Sequence, residues 1–196
     1  MNNMPTSIII AGVGGQGTIL ASKLLGDIAL REGLDVKVSE VHGMSQRGGS
    51  VVSYVRYGER VYSPLTDAGE ADYLIAFEEL EAARWLPLLK PGGTAVVNKF
   101  RIAPAPVLSG AAVYPDKIFE RIAQLNVKLY EVDAFALAKA AGFIRAANVA
   151  LMGAFAAVSK LDYKTCLISI ETALSGRFLD ENIKAFTAGY DSVRSI

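Results

Sequence analysis

Apolar and polar residues alternate along the first forty positions in blocks that are typical of a strand, a helix and a second strand. The apolar, β-branched run over 7–11 ends at a stretch with four glycines in six positions, 12–17. Apolar residues then recur every three or four positions, which predicts a helix over 16–32 that Gly33 ends. Alternation over 35–41 predicts the next strand. A strand, helix and strand in this order normally place two parallel strands side by side.

A different pattern follows the second predicted strand. The segment 41–50 is polar and glycine-rich and carries the chain's only histidine. It leads into an alternating run over 51–57, a turn at 58–59 and an apolar return at 60–63, which together predict an antiparallel hairpin. Because a hairpin inside a parallel sheet is unusual, the loop before it is a candidate functional surface.

Strand and helix patterns then alternate until about residue 132, and only helical patterns follow. The sequence therefore predicts one α/β domain over 1–196. We expect a three-layer, Rossmann-like sheet that is mostly parallel, with an inserted β-hairpin and a helical C-terminal tail. The remaining predicted strands are 71–77, 94–98, 111–113 and 127–132, and the remaining predicted helices are 78–89, 116–125, 134–141, 146–160, 164–174 and 180–193.

The glycine-rich turn has three interpretations. Gly12, Gly14 and Gly17 fit the dinucleotide fingerprint G-x-G-x-x-G, and Glu40 stands near the position where an acidic residue contacts the ribose. A dinucleotide is one case of the first interpretation, a phosphate-bearing ligand of any kind, which the exposed N–H groups at the start of the following helix favour. Such turns also serve packing alone, or contact a partner chain, so the motif by itself leaves all three open.

Composition narrows the function classes. The chain is 52% hydrophobic with a mean hydropathy of +0.30, yet no apolar run approaches the ~20 residues that span a bilayer. We therefore expect no membrane segment and a buried interface with another subunit. Twenty basic side chains balance twenty acidic ones, so no nucleic-acid partner is expected. The N-terminus lacks the pattern of a signal peptide, which predicts a cytoplasmic protein.

Cys166 is the only cysteine. One thiol cannot hold an iron–sulfur cluster or a structural zinc ion, and it cannot form an internal disulfide. We interpret Cys166 as a small apolar residue in a helix, and a lone cysteine fits a reducing cytoplasm.

Two segments together carry a resemblance to a known family. The glycine-rich turn 12–17, combined with the His-Gly-Met-Ser-Gln-Arg-Gly-Gly-Ser segment at 42–50, resembles the γ-type subunit or domain of 2-oxoacid:ferredoxin oxidoreductases. Within that family the segment is most similar to the β subunits of the indolepyruvate branch. Tyr-Ser-Pro-Leu at 62–65, Pro-Gly-Gly at 91–93 and Asn148 before the Leu-Met-Gly-Ala run at 151–154 extend the likeness over nearly the whole chain.

The resemblance implies the oxidative decarboxylation of a 2-oxoacid with coenzyme A, giving an acyl-CoA and reduced ferredoxin. It assigns thiamine diphosphate, magnesium and [4Fe-4S] clusters to a larger catalytic subunit, names coenzyme A as a candidate co-substrate, and leaves open whether coenzyme A contacts this chain. The chain itself would carry no cofactor and no metal. It would be an accessory subunit for assembly and closure of the active site, inactive when isolated and then able to form a homodimer.

No catalytic residue is assigned, but several side chains have alternative roles. Gln16 either faces a phosphate or a subunit boundary or supports the backbone, and Arg47 either reaches an anionic group or is a solvated loop residue. His42 is either a proton donor near the substrate carboxylate or a hydrogen-bonded turn residue. Met44 serves an interface or local packing, and Asn148 braces the glycine turn or contacts a ligand. The full set of candidate ligand- or interface-contacting residues is Gly12, Gly14, Gly15, Gln16, Gly17, His42, Met44, Gln46, Arg47, Gly48, Gly49 and Asn148.

Two rival functions stay open at this point. One is a self-contained NAD(P)- or flavin-binding oxidoreductase, for which Glu40 is the best support. The other is a ligand-free homodimeric scaffold, which a crowded glycine turn would favour.

Overall fold

The computed structural model describes residues 4–42, 48–174, 176 and 178–194. In this part of the chain six strands form one sheet in the order β2-β3-β1-β4-β5-β6. The strands are β1 (Thr6–Val13), β2 (Asp35–His42), β3 (Ser50–Gly58), β4 (Ala71–Ala76), β5 (Leu89–Asn98) and β6 (Lys128–Val132). The helices are α1 (Thr18–Arg31), α2 (Glu79–Trp85), α3 (Ala105–Leu108), α4 (Ile118–Ala123), α5 (Ala134–Ala140), α6 (Ala147–Ser159), α7 (Tyr163–Ala173) and α8 (Leu179–Ser192).

The sheet is parallel on one side of β1 and antiparallel on the other. Strand β1 pairs with β4 in parallel, and β4-β5-β6 continue in the same direction. On the other side β3 pairs antiparallel with both β1 and β2. The prediction that β1 and β2 are neighbours is therefore wrong, because β3 lies between them. The α/β class, with a hairpin inserted in a mostly parallel sheet, is confirmed.

The hairpin differs from the predicted one. Its two strands are β2 and β3, and residues 60–63 form no strand. Side chains hold this segment instead: the Arg56 guanidinium donates to the carbonyls of Ser63 (3.3 Å) and Leu65 (2.8 Å). The Asp35 carboxylate accepts from the Val61 N–H at 2.8 Å. Because side chains of β2 and β3 supply the partners, the apolar return is held beside the hairpin without joining its ladder.

Two further predictions near the prolines are wrong. The helix predicted over 78–89 ends early, because Pro87 falls in a single 3₁₀ turn, Leu86–Leu88, after which β5 begins. The strand predicted over 111–113 is absent. The Ala112 N–H instead donates to the Pro106 carbonyl at 3.0 Å, which folds this segment back onto α3.

Helices cover both faces of the sheet, as the three-layer prediction requires. Ile8 and Ile10 of β1 face a core formed with α1 and the helices α5 to α8. Ile9 and Ala11 face the opposite core, formed with α2 and α4. All four side chains are fully buried. Successive residues of a strand point to opposite faces, so the continuous apolar run of β1 fits its place as one of the two central strands.

The C-terminal helices pack backbone against backbone. A Cβ atom on Gly153 of α6 would overlap the carbonyl oxygen of Phe186 in α8. A Cβ atom on Gly189 of α8 would overlap the carbonyl of Ala150 in α6. The two glycines therefore set the closest approach of the predicted helical tail.

Cys166 lies in α7 and is fully buried against this helical layer. Burial raises the pKa of its thiol to about 12. The interpretation of Cys166 as a small apolar core residue is confirmed. Among the described helices none is long and apolar enough to cross a membrane.

Candidate functional site

The two glycine-rich segments that the sequence singles out lie side by side. Val13 of β1 pairs with Ser50 of β3, and the ladder continues one step beyond the strand ends. The Gly14 N–H donates to the Gly49 carbonyl at 2.8 Å, and the Gly48 N–H donates to the Gly14 carbonyl at 3.3 Å. Strand pairing thus brings the turn after β1 next to the end of the loop that precedes β3.

The turn needs glycine at several positions for different reasons. Gly15 and Gly17 have φ of +103° and +90°, a conformation that other residues rarely adopt. A Cβ atom on Gly15 would meet nothing within 4 Å, so its backbone is open to an approaching group. A Cβ atom on Gly12 would lie 3.0 Å from the Gln16 Oε1 atom and 3.2 Å from Phe77 Cβ. The turn is therefore crowded at Gly12 and open at Gly15.

Gln16 joins the ends of two strands. Its Oε1 atom accepts from the Val13 N–H at 2.7 Å, at the end of β1. Its Nε2 atom donates to the Phe77 carbonyl at 3.1 Å, just after β4. Helices α1 and α2 leave these two strands on opposite faces of the sheet, and the crevice at such a point is where α/β proteins bind cofactors. The Gln16 amide forms part of the floor of that crevice and supports the backbone there.

Asn148, at the start of α6, packs directly on the turn. Its amide nitrogen lies where a side chain on Gly17 would have to be. Its Oδ1 atom accepts from the N–H of the following residue, Val149, at 2.9 Å. The geometry matches the bracing role considered for Asn148, and its Nδ2 group stays directed to the turn and the space beside it.

Glu40 does not have the position of a ribose ligand. In the dinucleotide fold its strand would lie beside β1, but β3 separates β2 from β1. Its carboxylate instead accepts from the Ser22 hydroxyl of α1 at 3.0 Å. The self-contained dinucleotide enzyme therefore loses its best support, which was Glu40. The open backbone at Gly15 argues equally against a fully occluded turn.

The remaining candidates belong to the loop before β3. His42 is the last residue of β2, where its backbone lies opposite Val51. Met44, Gln46 and Arg47 lie outside the described residues, so their roles stay predictions.

A first cleft opens between α1 and the β2–β3 hairpin, with a volume of about 220 Å³. Ile19 and Val41 stand at its edge and are 49% and 50% exposed. Its other apolar walls come from β3, and Glu40 is its one acidic side chain. We call it the valine cleft. It is lined by Gly14, Gly15, Thr18, Ile19, Glu40, Val41, Val51, Val52 and Ser53.

A second cleft lies on the other side of the glycine turn, at the carboxyl ends of β1, β4 and β5. Its volume is about 390 Å³, and the rings of Phe100 and Phe135 form one wall with centroids 4.3 Å apart. We call it the aromatic cleft. It is lined by Gly15, Gln16, Phe77, Asn98, Phe100, Phe135, Ile144, Arg145, Ala147 and Asn148.

Sequence reasoning missed most of the aromatic cleft. Only its glycine, Gln16 and Asn148 were candidates. Phe100 lies two residues beyond the end of β5, on the same edge of the sheet as the glycine turn. A search for side chains just beyond each strand's carboxyl end would have found it. Arg145 carries no such signal, since it belongs to a short 3₁₀ turn before α6.

Three buried glutamates at the start of α2 fasten the surrounding loops. Glu78 accepts a hydrogen bond from the Tyr114 hydroxyl, and Glu79 pairs with Arg101 at 2.6 Å. Glu81 accepts from side chains of its own helix and of β3. Burial, together with the bond to Glu78, raises the pKa of Tyr114. The described residues contain no group of three or more His, Cys, Asp or Glu side chains placed to hold a metal ion.

Comparison with known proteins decides the family. Residues 7–192 match the family model described as pyruvate ferredoxin/flavodoxin oxidoreductase. The chain belongs to this family. The indolepyruvate oxidoreductase subunit IorB of Thermococcus kodakarensis is 40% identical over 197 residues, covering 97% of this chain and 96% of that protein. The predicted resemblance is confirmed, and the chain is a small subunit of the 2-oxoacid ferredoxin oxidoreductase kind.

Solved structures of the family share the fold. The γ subunit of a keto/oxoacid ferredoxin oxidoreductase from Geobacter sulfurreducens superposes with a TM-score of 0.74 at 23% identity, covering 97% of this chain and 99% of that chain. A second structure is a 2-oxoglutarate:ferredoxin oxidoreductase from Magnetococcus marinus with 2-oxoglutarate, coenzyme A and succinyl-CoA bound. It superposes with a TM-score of 0.77 at 21% identity. The match covers 98% of this chain and 32% of that one. In the Magnetococcus protein the same fold is thus part of a longer polypeptide.

Proposed function

We propose that the chain is the accessory subunit of a thiamine-diphosphate-dependent indolepyruvate:ferredoxin oxidoreductase. The observation that carries the proposal is the 40% identity to an indolepyruvate oxidoreductase subunit over nearly the whole of both chains. The larger subunit would hold thiamine diphosphate, magnesium and the [4Fe-4S] clusters, pass electrons to ferredoxin and use coenzyme A as co-substrate. The complex would work in the cytoplasm.

The site geometry supports a role in assembly and closure. The valine cleft presents two half-exposed apolar side chains, Ile19 and Val41, beside the loop before β3. Exposed apolar patches rimmed by polar residues mark interaction sites. The occurrence of this fold inside a longer chain in the Magnetococcus protein fits a location against a catalytic domain. We therefore assign the valine cleft to the contact with the larger subunit.

The loop before β3 would complete this contact. Met44 would pack on the partner, and Gln46 would hydrogen-bond to it. Arg47 would reach an anionic group, either in the partner subunit or in the coenzyme A diphosphate, since a guanidinium binds phosphate through paired hydrogen bonds. His42, at the end of β2, would stand next to them. Gly48 and Gly49 would hold the loop against Gly14.

Reconstitution tests the proposal. The chain is produced alone and together with the larger subunit of an indolepyruvate oxidoreductase, and reduction of ferredoxin is followed with indolepyruvate and coenzyme A. We expect turnover from the pair and none from the chain alone, which should also lack iron–sulfur absorption. Turnover by the purified chain alone, or a stoichiometric redox group bound to it, would overturn the proposal.

A variant pair sharpens the test of the interface. Val41→Asp places a charge in the valine cleft and should weaken association with the larger subunit in analytical ultracentrifugation. Val113→Asp, at an 87% exposed position after α3, serves as the matched control. If both variants associate equally well with the larger subunit, the valine cleft is not part of the interface.

A further inference from the structure

The aromatic cleft has uncommitted hydrogen-bond donors. Arg145 lines it, and within the described residues its guanidinium has neither an ion-pair nor a hydrogen-bond partner. The Nδ2 group of Asn148 likewise has no acceptor in this part of the chain, since the one hydrogen bond of that side chain uses Oδ1. A guanidinium has only donors. The free polar groups of the cleft therefore match a ligand with acceptor oxygens.

The charges of the residues that line the aromatic cleft also favour a ligand with acceptor oxygens. The aromatic cleft has one basic side chain, Arg145, and no acidic one, whereas the valine cleft has the acidic Glu40 and no basic one. A cation without a nearby carboxylate attracts an anionic group, and the pairing is strengthened when water is displaced. The aromatic cleft is therefore the side of the turn that suits an anion.

The apolar wall suits a flat ring. The ring centroids of Phe100 and Phe135 lie 4.3 Å apart, and the ring planes are tilted by 40°. Both side chains are half-buried and line the cleft. Aromatic side chains bind planar groups by stacking or edge-to-face contact. The volume of about 390 Å³ falls within the range of small-molecule sites.

The floor of the cleft is fixed before any ligand arrives. The Asn98 amide donates to the Phe77 carbonyl at 3.2 Å and its oxygen accepts from the Ala134 N–H at 3.1 Å. Gln16 donates to the same Phe77 carbonyl. Since these amides are held by the backbone, the floor needs no ordering on binding, and the exposed Arg145 side chain is the group that a ligand would fix.

We propose that the aromatic cleft binds a small ligand that combines a planar ring with an anionic group, with the ring against Phe100 and Phe135 and the anion on Arg145. Aryl carboxylates and nucleoside phosphates both have this chemistry. The inference goes beyond the accessory-subunit function, because it gives the chain a small-molecule site of its own. It does not depend on the identity of the partner.

Titration of the full chain with four probes tests it. Indole-3-acetate and AMP each carry a ring and an anion, whereas indole lacks the anion and inorganic phosphate lacks the ring. Calorimetry should detect binding of one or both ringed anions and much weaker binding of indole and phosphate. Which ringed anion binds identifies the source of the ligand. No binding of either, or indole binding as tightly as indole-3-acetate, overturns the proposal.

Variants locate the binding. Arg145→Gln should weaken binding at least about tenfold, as expected for loss of a hydrogen bond to a charged group, and Phe135→Leu should weaken it while leaving the anion partner in place. Arg121→Gln and Phe119→Leu, on α4 at the opposite face of the sheet, are the matched controls. Amide resonances of Gly15 and Arg145 should shift on titration of the unsubstituted chain. Binding that survives both cleft substitutions in folded protein contradicts the proposal.

Because the chain is tested alone, these results are separable from the reconstitution assay. Turnover with the larger subunit but no ligand binding by the chain would support the accessory function and contradict the proposed ligand site in the aromatic cleft.

Discussion

The glycine turn after β1 and the contact between α6 and α8 both depend on glycine, but for opposite reasons. In the turn Gly15 and Gly17 adopt positive φ, and Gly15 leaves its backbone open to solvent. In the helix pair Gly153 and Gly189 have ordinary helical backbones and are needed because another backbone occupies the place of a side chain. The turn thus needs glycine for conformation and access, whereas the helix pair needs it for proximity. The two regions should respond differently to the same substitution.

The largest expected effect is on the helix pair. In Gly189→Ala the new methyl group meets the backbone carbonyl of Ala150, which cannot rotate away as a side chain can. Overpacking of a core typically costs 1–3 kcal/mol, and a clash with backbone belongs at or above the upper end. We expect a loss of about 3 kcal/mol in the free energy of unfolding, measured by urea denaturation.

Gly26→Ala is the matched control in a helix. Its Cβ atom would meet only Val38 Cγ2 at 3.9 Å, an ordinary contact. Because alanine is the better helix former by about 1 kcal/mol, this variant should be as stable as the unsubstituted chain or more so. If Gly26→Ala and Gly189→Ala lose the same stability, close approach is not the reason for glycine in the helix pair.

An intermediate effect is expected in the turn. Gly17→Ala combines a strained φ with overlap on the Asn148 amide. Gly15→Ala has the strain alone, about 1–2 kcal/mol for a left-handed residue. Gly17→Ala should therefore be the less stable of the two in urea denaturation. In the Asn148→Ala background the difference between the two variants should shrink, because the overlap is removed and the strain stays. An unchanged difference would mean that Asn148 does not restrict Gly17.

A smaller loss of stability is expected when Gln16, the side chain that joins the ends of β1 and β4, is replaced. Gln16→Ala removes hydrogen bonds to the Val13 N–H and the Phe77 carbonyl. At a net 0.5–1.5 kcal/mol each, with part of the loss recovered by water, we expect about 1–2 kcal/mol. Gln124→Ala, at an exposed position after α4, should change the free energy of unfolding by less than about 0.5 kcal/mol. Equal effects would show that the bridge between β1 and β4 is not stabilising.

The contrast also explains which features could be predicted from the sequence. The glycine turn was found because its glycines are consecutive and follow an apolar run, so the pattern is local. Gly153 carries no such local signal, since an isolated glycine in an alanine-rich helix looks the same whether or not another helix crosses there. The pairing of β3 with β1 was missed because alternation shows that a segment is a strand but not which strand it joins. The aromatic cleft was missed because Phe100, Phe135 and Arg145 meet only once the edge of the sheet is assembled.

The smallest expected effect concerns Cys166, whose thiol can be used to compare local opening of the helix pair with that of the glycine turn. Its thiol is buried in α7, in a pocket lined also by Met152 of α6 and Phe186 of α8, and its pKa is raised to about 12 from an ordinary 9.0. The unfolded chain loses this proton near pH 9 and the folded chain does not. The contribution of this thiol to the free energy of unfolding should therefore fall as pH rises from about 9 to 12 and not vary below pH 9. At pH 8 a thiol reagent should label the folded chain slowly and the urea-unfolded chain at once. Gly189→Ala loosens the layer around the thiol, so labelling should accelerate well beyond the rate seen for Gly15→Ala, whose turn lies at the edge of the sheet. Equal labelling of the two variants would mean that the helix pair and the turn open together, and that the distinction between proximity and conformation has no consequence for local stability.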